Sequence, residues 1–228
     1  MRPTLPPHHQ WVETADGSFT LFSENFQEAC HSTSGARAET FLHYIQGCQI
    51  KEKLNSQNQL SILEVGFGLG IGFLTTYDVL QKTQKPWSFL SLEIDEKLLE
   101  WFRLENQTHP FLKNLKWSEN KSYKILEAKN EIIHLQILCG DARKTLPAFT
   151  QVHQKKWNAI YQDAFSPKKT LASGPRNGSA SLNLTPPLTL SSQLIRPVLR
   201  SVKVCSRQDG HFIKVKNLAL KEPVLAPR

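Results

Sequence analysis

Leu60-Ser61-Ile62-Leu63-Glu64-Val65-Gly66-Phe67-Gly68-Leu69-Gly70 is the stretch that decides the fold. Its first six residues are mostly apolar and read as a buried strand. The glycines then turn the chain directly into a helical segment, Phe73 to Gln81. Downstream, Trp87 to Ile94 reads as a second strand that carries Glu93 near its end. Asp95 is placed to cap a helix bearing Leu98, Leu99 and Phe102. A third strand, Ile132 to Leu138, runs into Cys139-Gly140-Asp141 and a short helix with Leu146. A fourth, Ala159-Ile160-Tyr161-Gln162, delivers Asp163. Strands alternating with helices imply an α/β fold with a mostly parallel sheet. Upstream, Asp16-Gly17 lies between extended runs from Trp11 to Phe22, a hairpin signal. Ser34 is a cap for a helix from about Ala36 to Ile45, and a polar linker follows from Lys51 to Gln59.

Composition bounds the function. The chain has 228 residues, 39% hydrophobic and 21% charged, which suits one domain with a sizeable core. No run of 18 apolar residues is present, so no membrane span is expected. Met1 to Gln10 lacks the apolar run of a signal peptide, and a cytoplasmic location follows as the expectation. Cys30, Cys48, Cys139 and Cys205 show no CxxC pairing and read as reduced thiols. The histidines show no metal spacing, and no G-x-S-x-G elbow is present.

The net charge of +8 is unevenly placed. Residues 170–228 hold 9 Lys/Arg against 2 Asp/Glu, whereas residues 1–169 are nearly balanced. The same 59 residues hold one of the 21 aromatics, Phe212, and six of the 13 prolines. The chain therefore divides into an N-terminal extension (1–55), a core (56–169) and a basic, aromatic-poor tail (170–228).

Ligands of open α/β sheets bind beyond the carboxyl ends of the strands. Glu64 with its glycines, Glu93, Asp141 and Asp163 all fall at such ends. The glycine loop does not fit the dinucleotide fingerprint G-x-G-x-x-G, because the sixth position is Ile71 or Phe73. Its form is acid-x-G-x-G-x-G, the form used for S-adenosylmethionine (SAM). The candidate cofactor-binding residues are Glu64, Gly66, Phe67, Gly68, Gly70, Glu93 and Asp141. Glu93 follows Gly70 by 23 residues and can accept ribose hydroxyls. Asp141 can approach an adenine amino group, cap the following helix, or do both. Asp163 can orient an amine and take its proton, which matters because an alkylamine (pKa about 10.4) is mostly protonated near neutrality. Phe165 can wall a substrate pocket and Lys168 can meet phosphate, the alternatives being a core ring and a solvated lysine.

These residues resemble the MnmC-like methyltransferase domain, the family that forms 5-methylaminomethyl-2-thiouridine in tRNA. The resemblance covers about residues 10–169. Its carriers are Phe22 to Phe41 with Gly35-Ala36-Arg37-Ala38-Glu39, the loop Glu64 to Gly70 with Phe73-Leu74-Thr75, and Asp163-Ala164-Phe165-Ser166-Pro167-Lys168-Lys169. It implies a Rossmann-like SAM-dependent methyltransferase fold with an N-terminal hairpin and helix extension. It also implies N-methylation of the 5-aminomethyl group of a tRNA wobble 2-thiouridine, with SAM as cofactor and no metal. By position, Asp163 would face the amine. Some members carry a flavin oxidase domain; this chain is too short for one and resembles the stand-alone form. A SAM enzyme acting on a small amine, an inactive SAM-binding remnant and a basic nucleic-acid-binding module are the other readings.

The resemblance stops after Lys169, where Thr170-Leu171-Ala172-Ser173-Gly174-Pro175 replaces the family's Asn-Pro and Trp-Thr segments. Permitted codons for Ala172–Ser179, for Ser192–Arg196 onward and for Lys221–Ala226 restore family-like segments in one common shifted phase. A reading-frame shift near Lys169 and an irregular tail are therefore expected. The tail's charge then carries no argument for RNA binding.

Overall fold

The computed structural model describes residues 5–6, 8–14, 19–24, 28–29, 36–153, 156–162, 203–208 and 211–214. Asp163, Phe165, Lys168, Ser34 and the Asp16-Gly17 turn lie outside these residues. The chain opens with β1 (His9–Glu13), β2 (Phe19–Ser23) and β3 (Glu28–Ala29), which form a small antiparallel sheet. The expected hairpin is present, with Glu13 opposite Phe19. Helix α1 (Ala36–Thr40) continues into a π-helical stretch, Phe41–Gln46, and then α2 (Ile50–Ser56). The polar linker expected over Lys51 to Gln59 is thus mostly helix. Ile50 and Leu54 bury one side of it at i, i+4 spacing, and its polar residues face outward. Lys85 Nζ donates to the carbonyls of Leu54, Asn55 and Gln57 at 2.8, 2.9 and 3.0 Å, placing a cation at the helix's negative end.

The core follows as β4 (Leu60–Val65), α3 (Ile71–Leu80), β5 (Trp87–Glu93) and α4 (Glu96–Glu105). Then come β6 (Lys116–Glu119), β7 (Lys124–Lys129), β8 (Ile133–Cys139), α5 (Ala142–Val152) and β9 (Ala159–Gln162). Two strands of the tail complete the sheet, β10 (Lys203–Gln208) and β11 (His211–Lys214). The order is β11-β10-β9-β4-β5-β8-β7-β6. The five strands from β10 to β8 are parallel, and antiparallel strands lie at both ends.

Two corrections concern this sheet. The β6–β7 hairpin was not expected from the sequence. The expectation of an irregular tail is corrected over β10 and β11. Val204, Phe212 and Ile213 suit strands, and Asp209-Gly210 between them is a hairpin-favouring sequence. Pairing β10 with β9 also covers an edge that would otherwise stand open.

Alternation along the strands divides the core. Ile62, Phe89, Leu135, Ile137 and Tyr161 pack with the π-helical stretch, α2, α3 and α4 on one face. Leu63, Leu90, Leu138 and Ile160 pack with Leu146 and Phe149 of α5 on the other. Both faces are covered, which is why these strands read as near-continuous apolar runs. The small N-terminal sheet reaches the loop after β4, where Leu21 packs with Leu69 and Leu98. Cys48 is disulfide-bonded. This corrects the reading of all four cysteines as reduced. Among the described residues no helix is long and apolar enough to cross a membrane.

Candidate functional site

The chain leaves β4 to β5 and β8 on one side and returns to β9 on the other, so the strand order reverses beside β4. The carboxyl edge at such a reversal is where α/β sheets hold ligands. The glycine loop follows β4 at that edge. The N–H groups of Gly66 and Phe67 both donate to Leu92 O at 3.1 Å. The N–H of Gly68 donates to Glu93 Oε2 at 2.9 Å. The loop is therefore tied to the end of β5.

Gly70 caps α3 at φ +70°, where a Cβ would meet Phe102 at 2.7 Å and Phe67 at 2.8 Å. Only glycine suits both the backbone and the space. Phe67 is buried and packs edge-on against Phe102, with centroids 4.8 Å apart. Its side chain holds the loop to α4.

The two glutamates stand at different depths. Glu64 is 1% exposed and faces α3. It pairs in register with Ser91 on one side and Tyr161 on the other. Ser91 Oγ donates to Glu64 Oε2 at 2.7 Å. Thr76 Oγ1 lies 3.2 Å from Tyr161 Oη and donates to Gly72 O at 2.7 Å. Ser91, Glu64 and Tyr161 thus form a polar row across three strands, closed above by Gly72 and Thr76 of α3. Burial, with the Thr76 hydrogen bond opposing and the Glu64 charge adding, pushes the Tyr161 phenol far above its ordinary pKa. Glu64, expected among the ligand contacts, lies beneath the loop. Gly72, Thr76, Ser91 and Tyr161 are additions that the sequence reading did not assign.

Glu93 lies at the rim, 8% exposed. Its carboxylate accepts three backbone N–H groups, from Gly68, Ile94 (2.8 Å) and Asp95 (3.0 Å). Burial raises its pKa, and these hydrogen bonds oppose the rise. A carboxylate has about four acceptor sites. Glu93 therefore keeps acceptor capacity for a ligand hydroxyl.

Asp141 caps α5, accepting from Arg143 N at 2.9 Å and from the Arg143 guanidinium, and that guanidinium lowers its pKa. The capping alternative is present. The Gly140 N–H donates to Glu93 O at 2.7 Å and joins the ends of β8 and β5. Cys139 sits half-buried at the same edge, its thiol pushed up to about 11, first by burial and then by Glu96. The structure brings together Glu64, Gly66, Phe67, Gly68, Gly70, Glu93 and Asp141 at one edge. Gln162, the residue before Asp163, ends β9 opposite Val65 at that edge.

Comparisons with known proteins bear on this arrangement. A family described as S-adenosyl-L-methionine-dependent methyltransferase matches residues 103–172. An uncharacterized protein of Methanocaldococcus jannaschii is 28% identical over 173 residues, 72% of this chain and 44% of that protein. The tRNA 5-methylaminomethyl-2-thiouridine biosynthesis bifunctional protein MnmC of Campylobacter hominis is 30% identical over 156 residues, 65% of this chain and 22% of that protein. The crystal structure of MNMC2 from Aquifex aeolicus superposes with a TM-score of 0.53 at 27% identity, over 71% of this chain and 50% of that one. The chain thus spans less than half the length of these curated relatives.

A Rossmann-like sheet with an acid-and-glycine loop at its reversal point, matched in this way, defines a SAM-dependent methyltransferase. Within that class the chain is similar, at modest identity, to the methyltransferase portion of MnmC proteins.

Proposed function

We propose that this chain is a cytoplasmic SAM-dependent N-methyltransferase acting on the 5-aminomethyl group of a tRNA wobble 2-thiouridine. The observation that carries the reading is the hold of Glu93 on the glycine loop, through the Gly68 N–H, beside the strand reversal. The MnmC relatives, named for tRNA 5-methylaminomethyl-2-thiouridine biosynthesis, support the tRNA substrate.

The rim fits SAM, since its glycines leave backbone open to close approach and Glu93 keeps acceptor capacity. Bound there, SAM supplies an electrophilic methyl whose C–S bonding electrons stay on sulfur. Glu93 would accept ribose hydroxyls, and Asp141 would meet the adenine amino group. Glu64 acts from below, by holding the loop and the start of α3. Asp163 orients the substrate amine and removes the proton that blocks its lone pair. Phe165 walls the substrate side and Lys168 meets tRNA phosphate. Positioning supplies most of the rate.

Calorimetric titration with SAM, followed by labelled SAM with tRNA lacking the modification or with a panel of small amines, tests the proposal. Labelling of tRNA alone is expected. Labelling of small amines alone assigns a small-amine enzyme. SAM binding without transfer to either assigns a remnant, the reading that the departure after Lys169 favours. No SAM binding overturns the site.

A further inference from the structure

We infer that Tyr44 is a positioning residue for methyl transfer: its hydroxyl fixes the end of β9, from which the chain continues into Asp163. The catalytic consequence rests on the N-methyltransferase reading above.

Tyr44 lies in the π-helical stretch, 2% exposed, with its ring stacked on Tyr161 at 4.6 Å and 11°. A phenylalanine would fill the same space. The hydroxyl donates at 2.9 Å to the main-chain carbonyl of Gln162, the last residue of β9. A buried phenol needs an acceptor. Here the acceptor is the peptide unit that joins Gln162 to the next residue.

The same N-terminal segment touches β9 a second time, where Cys48 Sγ lies 3.8 Å from Ile160 O. Below, Tyr161 Oη meets Thr76 of α3. The end of β9 is thus held from the N-terminal extension and from the helix that the glycine loop launches. π-Helical turns within helices are rare and concentrate at functional sites. This one orders a strand end beside the strand reversal.

The test is Tyr44→Phe, which keeps the stack and removes the hydrogen bond. Trp117→Phe serves as the control, because it deletes a matched bond (2.8 Å, to Glu100) at the outer end of the sheet. Amide hydrogen exchange is followed on peptides that end at Gln162 and on peptides that continue past it. In Tyr44→Phe the longer peptides are expected to exchange several-fold faster, with peptides covering Leu60 to Gly72 unchanged. The kcat for methyl transfer is expected to fall about tenfold, with the SAM KM and Kd unchanged, as for a displaced reacting group. Trp117→Phe is expected to change neither. Unchanged exchange past Gln162, or an undiminished kcat, overturns the inference. A wild-type protein that transfers no methyl to any acceptor refutes the function proposed above, and the exchange comparison still decides whether Tyr44 holds the strand end.

Discussion

Replacing Gly72 by alanine tests the polar row beneath the loop. An alanine Cβ there would lie 1.9 Å from Glu64 Oε1 and 3.1 Å from its Cδ, whereas ordinary contact begins at 3.4 Å. The carboxylate is buried between Ser91 and Tyr161 and has no open side to swing into. Its retreat breaks the 2.7 Å bond from Ser91. Loss of a hydrogen bond to a charged group costs about 1.5–3 kcal/mol. Overpacking adds roughly 1–3 kcal/mol. The helix preference of alanine over glycine returns about 1 kcal/mol. The net expectation is a destabilisation of about 1.5–5 kcal/mol, or roughly 3–20 °C in Tm for a domain of this size. Urea and thermal unfolding followed by circular dichroism measure it. In a double-mutant cycle, Glu64→Ala is expected to relieve the clash, so that Gly72→Ala costs at least about 1 kcal/mol less in that background. A Gly72→Ala protein as stable as wild type, or strictly additive effects, would refute the reasoning.

Three further outcomes are expected. Glu93→Gln brings an amide donor against three backbone N–H donors, so SAM affinity by calorimetry should fall about tenfold or more. Because burial raises the Glu93 pKa, wild-type SAM affinity should weaken on acidification sooner than for an ordinary carboxylate, a dependence the variant should flatten. The sign for stability is opposite: this raised group favours folding below its unfolded pKa, and that part is lost as pH rises through the folded pKa. Glu100 is held down to about 2, chiefly by its hydrogen bonds from Arg103, so its contribution persists above the usual carboxylate value and is lost as pH falls through about 2. Its side chain is 40% exposed, so Glu100→Gln should lower Tm only slightly near neutrality and reduce acid sensitivity within that window. Cys139, with its thiol near 11, should alkylate on the order of 100-fold more slowly than an ordinary thiol at mildly alkaline pH; peptide mass spectrometry that finds an ordinary rate would contradict its burial.

The parts legible in the sequence share one property: their signals are local. β4, β5 and β9 are apolar runs because both of their faces are covered, and Asp95 does cap α4, accepting from the N–H groups of Lys97 and Leu98. The missed elements carry weaker local signals. β6 reads Lys116-Trp117-Ser118-Glu119, a mostly polar outer strand with no apolar run. The turn between β6 and β7 depends on Asn120, whose side chain accepts the N–H groups of Ser122 and Tyr123. In the site, the loop and Glu93 follow from spacing, but the partners of Glu64 do not. Ser91 is 27 residues from Glu64, and Tyr161 is 85 from Thr76, so only the sheet register brings them together. Tyr44 and Gln162 are 118 residues apart, and no periodicity announces that contact.

Register also explains why two glutamates at neighbouring strand ends stand at different depths. Glu64 stands opposite Ser91, and Glu93 lies two residues further along β5 on the same face. Two residues of strand advance the chain by about 7 Å. That step carries Glu93 past the glycine loop to the rim, and it leaves Glu64 under the first turn of α3. The absence of a Cβ at Gly72 makes room for the buried carboxylate, and the Gly68 N–H carries the loop across to the rim carboxylate. The acid that opens the glycine motif therefore lies under the loop, and the second acid stands at the rim. A motif match alone would give both the same role; the depth of each in the sheet separates them.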